Sequence, residues 1–165
     1  MRHFFPLIAY LLLAPAGGFA GNITKTEQAV AVIDFDYLDT SGEPRDQRAE
    51  HEARLAAFMS DFRTDLAKGG DFRVVAPKCG ADPCSSKSQV EPLLVAARDS
   101  GADILLLGGV HKMSTLVQWA QVEAIEAGSG RVLFNKLFTF RGDTDEAWRR
   151  AESFMIEEMH ALPPS

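Results

Sequence analysis

The chain has 165 residues, of which 46% are hydrophobic and 24% are charged, and its formal net charge is −6. This composition is that of a globular domain large enough to bury a core without a metal ion or many disulfides. The acidic balance argues against nucleic acid as a partner, because it offers no basic footprint for a phosphate backbone. It also disfavours peripheral binding to anionic lipid.

The first twenty residues have the pattern of a secretory signal peptide. Arg2 and His3 precede an apolar run at 4–13, and a stretch of small residues ends at Ala20. This order of basic, apolar and small segments predicts export with cleavage after Ala20, which leaves 21–165 as a single domain. Because no cysteine lies near that site and no later segment is long enough to span a bilayer, we expect neither a lipid anchor nor a membrane span.

Hydrophobic patterning predicts alternating strands and helices in the first half of the domain. A β-branched apolar run at 29–36 indicates a buried strand. Apolar residues at helical spacing follow from about Gln47 and stop at Gly69 and Gly70. A short strand at 72–76 comes next, and a second helix begins near Val90.

The second half of the domain predicts three strands and a last helix. The strand at 102–110 is apolar on both faces and therefore interior, and its Gly108-Gly109 pair indicates a bulge or a close backbone approach. Long strands at 116–126 and 131–141 flank a compact turn, which predicts an antiparallel hairpin. With a helix at 143–161, the order is β-α-β-α-β-β-β-α, an α/β fold with a mixed sheet of about five strands and helices packed on it.

Cys79 and Cys84 are the only two cysteines of the sequence. In an oxidising compartment two nearby cysteines most often pair, and Gly80 and Pro83 between them suit a tight loop. A structural disulfide is therefore the favoured interpretation. A redox-active pair is the alternative, although the spacing is not that of a C-x-x-C motif. A metal site is disfavoured because the two thiols lack neighbouring ligands.

Five charged residues form a candidate ligand-binding set. Asp34 and Asp36 end the first strand, Lys112 follows the third, and Arg141 and Asp143 lie where the last strand meets the last helix. Ligands of parallel sheets bind beyond the carboxyl ends of the strands, so convergence of these groups would form a polar pocket. The alternative is structural: the aspartates of the first strand pair with Lys112, and Asp143 forms a capping box with the glutamate three residues on.

The sequence contains none of the serine-elbow, zinc-protease, dinucleotide-binding or P-loop motifs. We therefore expect a protein that is not an enzyme, with no catalytic residue, no metal and no cofactor. His111, at the end of the third strand, has the chemistry of a base or a ligand. A single histidine at such a place is more often a surface or hydrogen-bonded residue.

Two stretches carry a resemblance to a known group of proteins. Residues 101–116 contain a Gly-Ala-Asp strand and a Lys-x-Ser-x-Leu segment, and residues 141–150 read Arg-Gly-Asp-Thr-Asp-Glu-Ala-Trp-Arg-Arg. They resemble an uncharacterised family of secreted proteobacterial proteins. Asp143 and Ala147 stand where that family has asparagine and serine.

The layout also resembles the amino-terminal domain of TolB and the CsgG- and LpoB-type periplasmic domains. The resemblance lies in the Ala-Val-Ile-Asp-Phe strand at 31–35 and the Gly-x-Gly-Arg-Val-Leu turn at 128–133. It implies a periplasmic accessory module that binds another protein of the cell envelope through its hairpin or a sheet edge. Small-solute binding at the charged set and a thiol-disulfide role for Cys79 and Cys84 are the alternatives.

Overall fold

The computed structural model describes residues 26–80 and 84–162, so the predicted leader lies outside the described residues. The described residues form the predicted α/β fold, with six strands and three helices. In chain order these are β1 (Gln28–Val32), β2 (Asp36–Asp39), α1 (Arg48–Lys68), β3 (Phe72–Val75), α2 (Val90–Asp99), β4 (Ile104–Lys112), β5 (Val117–Glu126), β6 (Val132–Arg141) and α3 (Asp145–His160). None of these helices is long and apolar enough to cross a bilayer.

All six described strands belong to one mixed sheet. Its order is β3-β1-β4-β5-β6, and β2 lies beside β4 beyond the end of β1. β1 pairs in parallel with β3 and β4, β2 pairs in parallel with β4, and β4, β5 and β6 are antiparallel. The predicted hairpin and the interior position of the third predicted strand are therefore confirmed.

The sixth strand arises because the predicted strand at 29–36 is interrupted. Val32 pairs with Leu106, and Asp36 pairs with Gly109. The advance of four residues from Val32 to Asp36 therefore lies opposite an advance of three residues in β4. One extra residue must leave the ladder, as in a β-bulge. Asp34 is exposed at this place and makes an isolated bridge to the loop before α2.

Two helices cover one face of the sheet, which we call the helix face. α1 buries Phe58, Phe62 and Leu66, and α3 buries Trp148 and Met155. These residues form the main core with the alternate strand residues that point to this side. The predicted apolar stripe of α1 is thus confirmed, and burial of large side chains from both helices contributes to the hydrophobic stabilisation.

The opposite face of the sheet is only half covered. α2 packs Leu93, Leu94 and Ala97 against Ala31, Leu105 and other residues at the start of the parallel strands. No helix of the described residues covers the other half, where Leu38 and Leu137 stay exposed. We call it the open face; it consists of Asp36, Leu38, Gly109, His111, Trp119, Gln121 and Leu137.

Cys79 and Cys84 form a disulfide, with their Cα atoms 5.6 Å apart. Both residues are partly buried. Cys84 packs beside the apolar cluster under α2, which ties the start of that segment to the sheet. The bond closes the loop between β3 and α2 and so restricts the unfolded chain.

Gly108 provides a direct test of the packing of β4. The strand keeps a continuous register with β5, so the glycine marks a close approach and not a bulge. A Cβ here would overlap the backbone oxygen of Gln121 and lie 2.8 Å from Cζ of Phe35. We expect Gly108→Ala to lower the free energy of unfolding by about 2–4 kcal/mol, measured by urea denaturation. Gly128→Ala is the control, because its Cβ would meet open space; equal stability of the two variants would contradict this packing.

Candidate functional site

The structure brings together two of the five predicted ligand-binding residues. The Nζ atom of Lys112 lies 2.8 Å from Oδ2 of Asp143. Asp34 instead faces solvent and pairs with Arg63 of α1, with 2.5 Å between the charged groups. The predicted contact between Asp34 and Lys112 is therefore absent, because the interruption after β1 turns this carboxylate outward.

Asp36 and Arg141 lie on the other side of the sheet from Lys112. Asp36 belongs to the open face, where Ser85 donates a hydrogen bond of 3.4 Å to it and Lys87 lies 3.9 Å away. Partial burial raises the pKa of Asp36 above its ordinary value. Arg141 is exposed at the end of β6, opposite Val117. Strand alternation thus separates residues that share a strand end in the sequence.

Lys112 is fully buried at the end of β4, on the helix face. Its ammonium donates to Glu43 Oε2 at 2.6 Å, to Gln47 Oε1 at 2.6 Å and to Asp143 Oδ2 at 2.8 Å. Asp39 lies 4.0 Å away. A buried ammonium is costly unless its charge is balanced and its donors are satisfied. Here three acceptors from two separate segments, the loop after β2 and the segment before α3, meet that requirement.

The ionisation of this pair follows from its contacts. Burial alone would lower the pKa of Lys112, but its hydrogen bonds to Asp143 and Glu43 outweigh that effect and raise the pKa. Burial alone would raise the pKa of Asp143, but hydrogen bonds from Lys112 and His51 lower it. Both groups are therefore charged at neutral pH.

Asp143 is shared by further donors. Nε2 of His51 lies 2.8 Å from its Oδ2, and Arg54 and Gln118 donate to its Oδ1 at 2.6 and 3.4 Å. Because the carboxylate is engaged here, it does not cap α3. Thr144 is the N-cap and accepts from the backbone N–H three residues on, so the predicted capping box at Asp143 is wrong.

We call this group of side chains the charged cluster. Its members are Glu43, Gln47, His51, Arg54, Lys112, Gln118 and Asp143. It joins the loop after β2, the first turns of α1, the end of β4 and the segment between β6 and α3. Among the described residues, no three His, Cys, Asp or Glu side chains are placed to hold a metal ion.

Five members of the charged cluster are not among the predicted site residues: Glu43, Gln47, His51, Arg54 and Gln118. The sequence did contain a signal for His51, because this residue lies at helical spacing from Leu55 and Phe58 in α1. The structure buries it, with 2% of its surface exposed. A polar residue in such a stripe indicates a buried partner. Glu43 and Gln47 had no comparable signal, because they lie in an irregular loop that has no hydrophobic period.

A groove of about 460 Å³ lies between α1 and α3, beside the charged cluster. We call it the α1–α3 groove. Ala53 and Ala57 of α1 leave room for it, and Arg54 borders it while bonding Asp143 and Asp145. Its lining residues are Glu50, Ala53, Arg54, Ala57, Phe58, Asp61, Asp145, Trp148, Arg149 and Glu152.

Two buried polar atoms on the α3 side of the groove have no hydrogen-bond partner among the described residues. They are Oε1 of Glu152 and Nε1 of Trp148, and the two side chains are 4% and 2% exposed. Burial, followed by repulsion from Asp61 and Asp65, raises the pKa of Glu152 to about 7. Buried polar groups are nearly always hydrogen-bonded, so an unpaired carboxyl here requires an explanation.

The chain belongs to the DUF3280 family, which is described as "Protein of unknown function (DUF2380)" and whose model matches residues 28–159. The matched range covers most of the residues that the structure describes. Comparison with curated protein sequences finds no significant match.

Solved structures show that the fold is shared with domains of LpoB and TolB. The C-terminal domain of LpoB from Escherichia coli is 14% identical, with a TM-score of 0.53 over 73% of this chain and 87% of that domain. TolB from Acinetobacter baumannii is 12% identical, with a TM-score of 0.51 over 82% of this chain and 28% of TolB. The hypothetical protein CT253 from Chlamydia trachomatis is 8% identical, with a TM-score of 0.56 over 83% of this chain and 98% of that protein. At these identities the similarity shows the fold alone.

The substitution Glu152→Gln removes the ionisable group of the side chain and keeps nearly the same shape. Because the pKa of Glu152 is about 7 in the folded state and 4.5 ordinarily, the folded wild type holds a proton that the unfolded chain releases between those values. Wild-type stability should therefore fall as the pH rises from about 4.5 to 7. Near pH 8 we expect the variant to be more stable by about 1–3 kcal/mol, and near pH 5 the difference should shrink.

Urea denaturation across this pH range measures the difference. Glu157→Gln is the matched control, because Glu157 is exposed on the same helix, and it should follow the wild-type profile. If Glu152→Gln also follows the wild-type profile, Glu152 does not carry the raised pKa.

Proposed function

We propose that this member of the DUF3280 family is a periplasmic accessory module that binds another protein of the cell envelope. The observation that carries the proposal is the open face. It presents Leu38 and Leu137, which are 54% and 50% exposed, on either side of the ring pair His111 and Trp119. An apolar and aromatic patch of this kind on a domain surface is typical of a binding surface.

The position of the open face in the sheet supports the same conclusion. β5 and β6 form the hairpin that carries Trp119 and Leu137, and β6 is a ten-residue edge strand that pairs only with β5 among the described strands. Met113 and Leu116, at the turn between β4 and β5, are further exposed apolar residues of this part of the sheet's sequence. A partner can therefore contact the sheet face and add a strand to β6 at the same time.

The export signal at 1–20 supports a periplasmic location, because it is the pattern of a cleaved leader. The fold shared with LpoB and TolB domains fits a protein of the envelope, although their low identity limits this support to the fold. We also propose that the protein is not an enzyme. The charged groups of the charged cluster are engaged with one another, and the sequence has no known catalytic motif.

Solute binding by the predicted set of five residues is the weaker candidate. Lys112 and Asp143 satisfy each other, while Asp34, Asp36 and Arg141 occupy separate surroundings. A thiol-disulfide role is also weaker, because Cys84 packs against the apolar cluster under α2 as a structural bond does.

In-cell photo-crosslinking tests the proposal. A photoreactive phenylalanine analogue is placed at Leu137 in the host bacterium, and the matched control carries it at Phe154, which is also 50% exposed but lies on α3. We expect the Leu137 position to give one adduct larger than the chain and the Phe154 position to give none. Leu38→Asp, on the neighbouring strand, should reduce the Leu137 adduct at least about tenfold, because it places a charge in the patch.

Two results would count against partner binding at the open face. One is the absence of an adduct at Leu137 when the photoreactive chain is expressed and folded. The other is an adduct with the mass of two copies of this chain, which would make the open face a contact between copies.

A further inference from the structure

Glu152 has no ion-pair partner among the described residues, although it is buried in the wall of the α1–α3 groove. Its Oε1 atom accepts no hydrogen bond from the part of the chain that the structure describes. Lys68 lowers its pKa through electrostatic attraction, but Lys68 pairs with Asp65 at 2.5 Å. The groove therefore holds a carboxyl whose charge no neighbouring side chain neutralises by contact.

The other charges of the groove leave it with an excess of negative groups. Its two arginines are engaged: Arg54 bonds Asp143 and Asp145, and Arg149 pairs with Glu146 at 2.7 Å. Asp61, an exposed lining residue, forms no ion pair among the described residues. The groove residues without an ion pair among the described residues are thus both acidic: Asp61 lies on α1 and Glu152 lies on α3.

A buried carboxylate of this kind favours a ligand that brings a positive charge and N–H donors. Hydrogen bonds to an ionised group are stronger than those between neutral groups, and the low exposure of Glu152 strengthens them further. The volume of about 460 Å³ is within the range of small-molecule sites. Ala53 and Ala57 leave space for an aliphatic chain along α1.

We propose that the α1–α3 groove binds an organic cation with an amine or guanidinium group, which donates to Glu152 and is attracted by Asp61. Trp148, whose indole N–H is also unpartnered, donates to an oxygen of the ligand where it carries one. The cation can belong to a free amine or to a lysine or arginine side chain of a polypeptide. The site is independent of the proposed function, because it lies on the helix face and the open face lies on the other side of the sheet.

The two tryptophans of the sequence make the test specific. Trp148 lines the groove, and Trp119 lies on the open face. In the mature protein labelled with ¹⁵N, each indole N–H gives its own NMR signal. Titration at low salt with 1,4-diaminobutane, with N-acetylarginine amide and with the neutral 1,4-butanediol compares the two sources of cation with an uncharged chain of equal length.

We expect one or both cations to shift the Trp148 signal to saturation and to leave the Trp119 signal unchanged, while the diol shifts neither. Tighter binding of N-acetylarginine amide would identify a polypeptide side chain as the source, and tighter binding of the diamine would identify a free amine. Raising the salt concentration should weaken binding, because it screens the exposed Asp61.

Variants then assign the binding to Glu152. Glu152→Gln should weaken it at least tenfold, and the exposed Glu157→Gln should leave it unchanged. Ala57→Phe, which fills the groove without altering a charge, should abolish it. Thermal unfolding of each variant shows whether it is folded, and the two substitutions act through different contacts, so failure of one to fold leaves the other as the test.

The inference is overturned if neither cation shifts Trp148, if the diol shifts it equally, or if Glu152→Gln binds as the wild type does. These results would not affect the proposed function, because the crosslinking at Leu137 does not involve the α1–α3 groove.

Discussion

The buried ammonium of Lys112 is the constraint on which the arrangement of the helix face depends. Strand alternation directs the last residue of β4 into the interior, where a positive charge is tolerated only with acceptors around it. Glu43 and Gln47 come from the loop after β2, and Asp143 comes from the segment before α3. The ion pair therefore fixes where α1 and α3 begin, while their apolar stripes decide how they pack.

This arrangement divides the molecule into two surfaces of different character. The helix face is closed by α1 and α3 except along the α1–α3 groove, where Oε1 of Glu152 is buried without a partner in residues 26–80 and 84–162. The opposite face is closed by α2 over half its area and ends in exposed Leu38 and Leu137. A partner on the open face and a cation in the groove would not compete for space, because the sheet stands between them.

The sequence predicted those parts of the fold that depend on hydrophobic period. It identified the helices and the hairpin, because each leaves a repeating or local signal. At Gly108 it left a bulge and a close approach as alternatives, and the structure shows the close approach. It missed the interruption before Asp36, since a single residue that leaves a ladder does not alter the apolar pattern. The partners of Lys112 were predicted only in part. Asp143 was in the candidate set, but its contact with Lys112 depends on the register of β4, β5 and β6, which no local pattern records.

A double-mutant cycle on Lys112 and Asp143 tests the central claim most directly. Lys112→Met and Asp143→Asn, alone and together, are compared with the wild type by urea denaturation at neutral pH. Each single change should lower the free energy of unfolding by about 2–4 kcal/mol, because it removes one of the few contacts that balance the other buried charge: Lys112 would keep Glu43, and Asp143 would keep Arg54 and His51. The double variant should lose at least about 1 kcal/mol less than the sum of the two. Strictly additive losses, or single losses below about 0.5 kcal/mol, would contradict the dependence of the helix face on this ion pair.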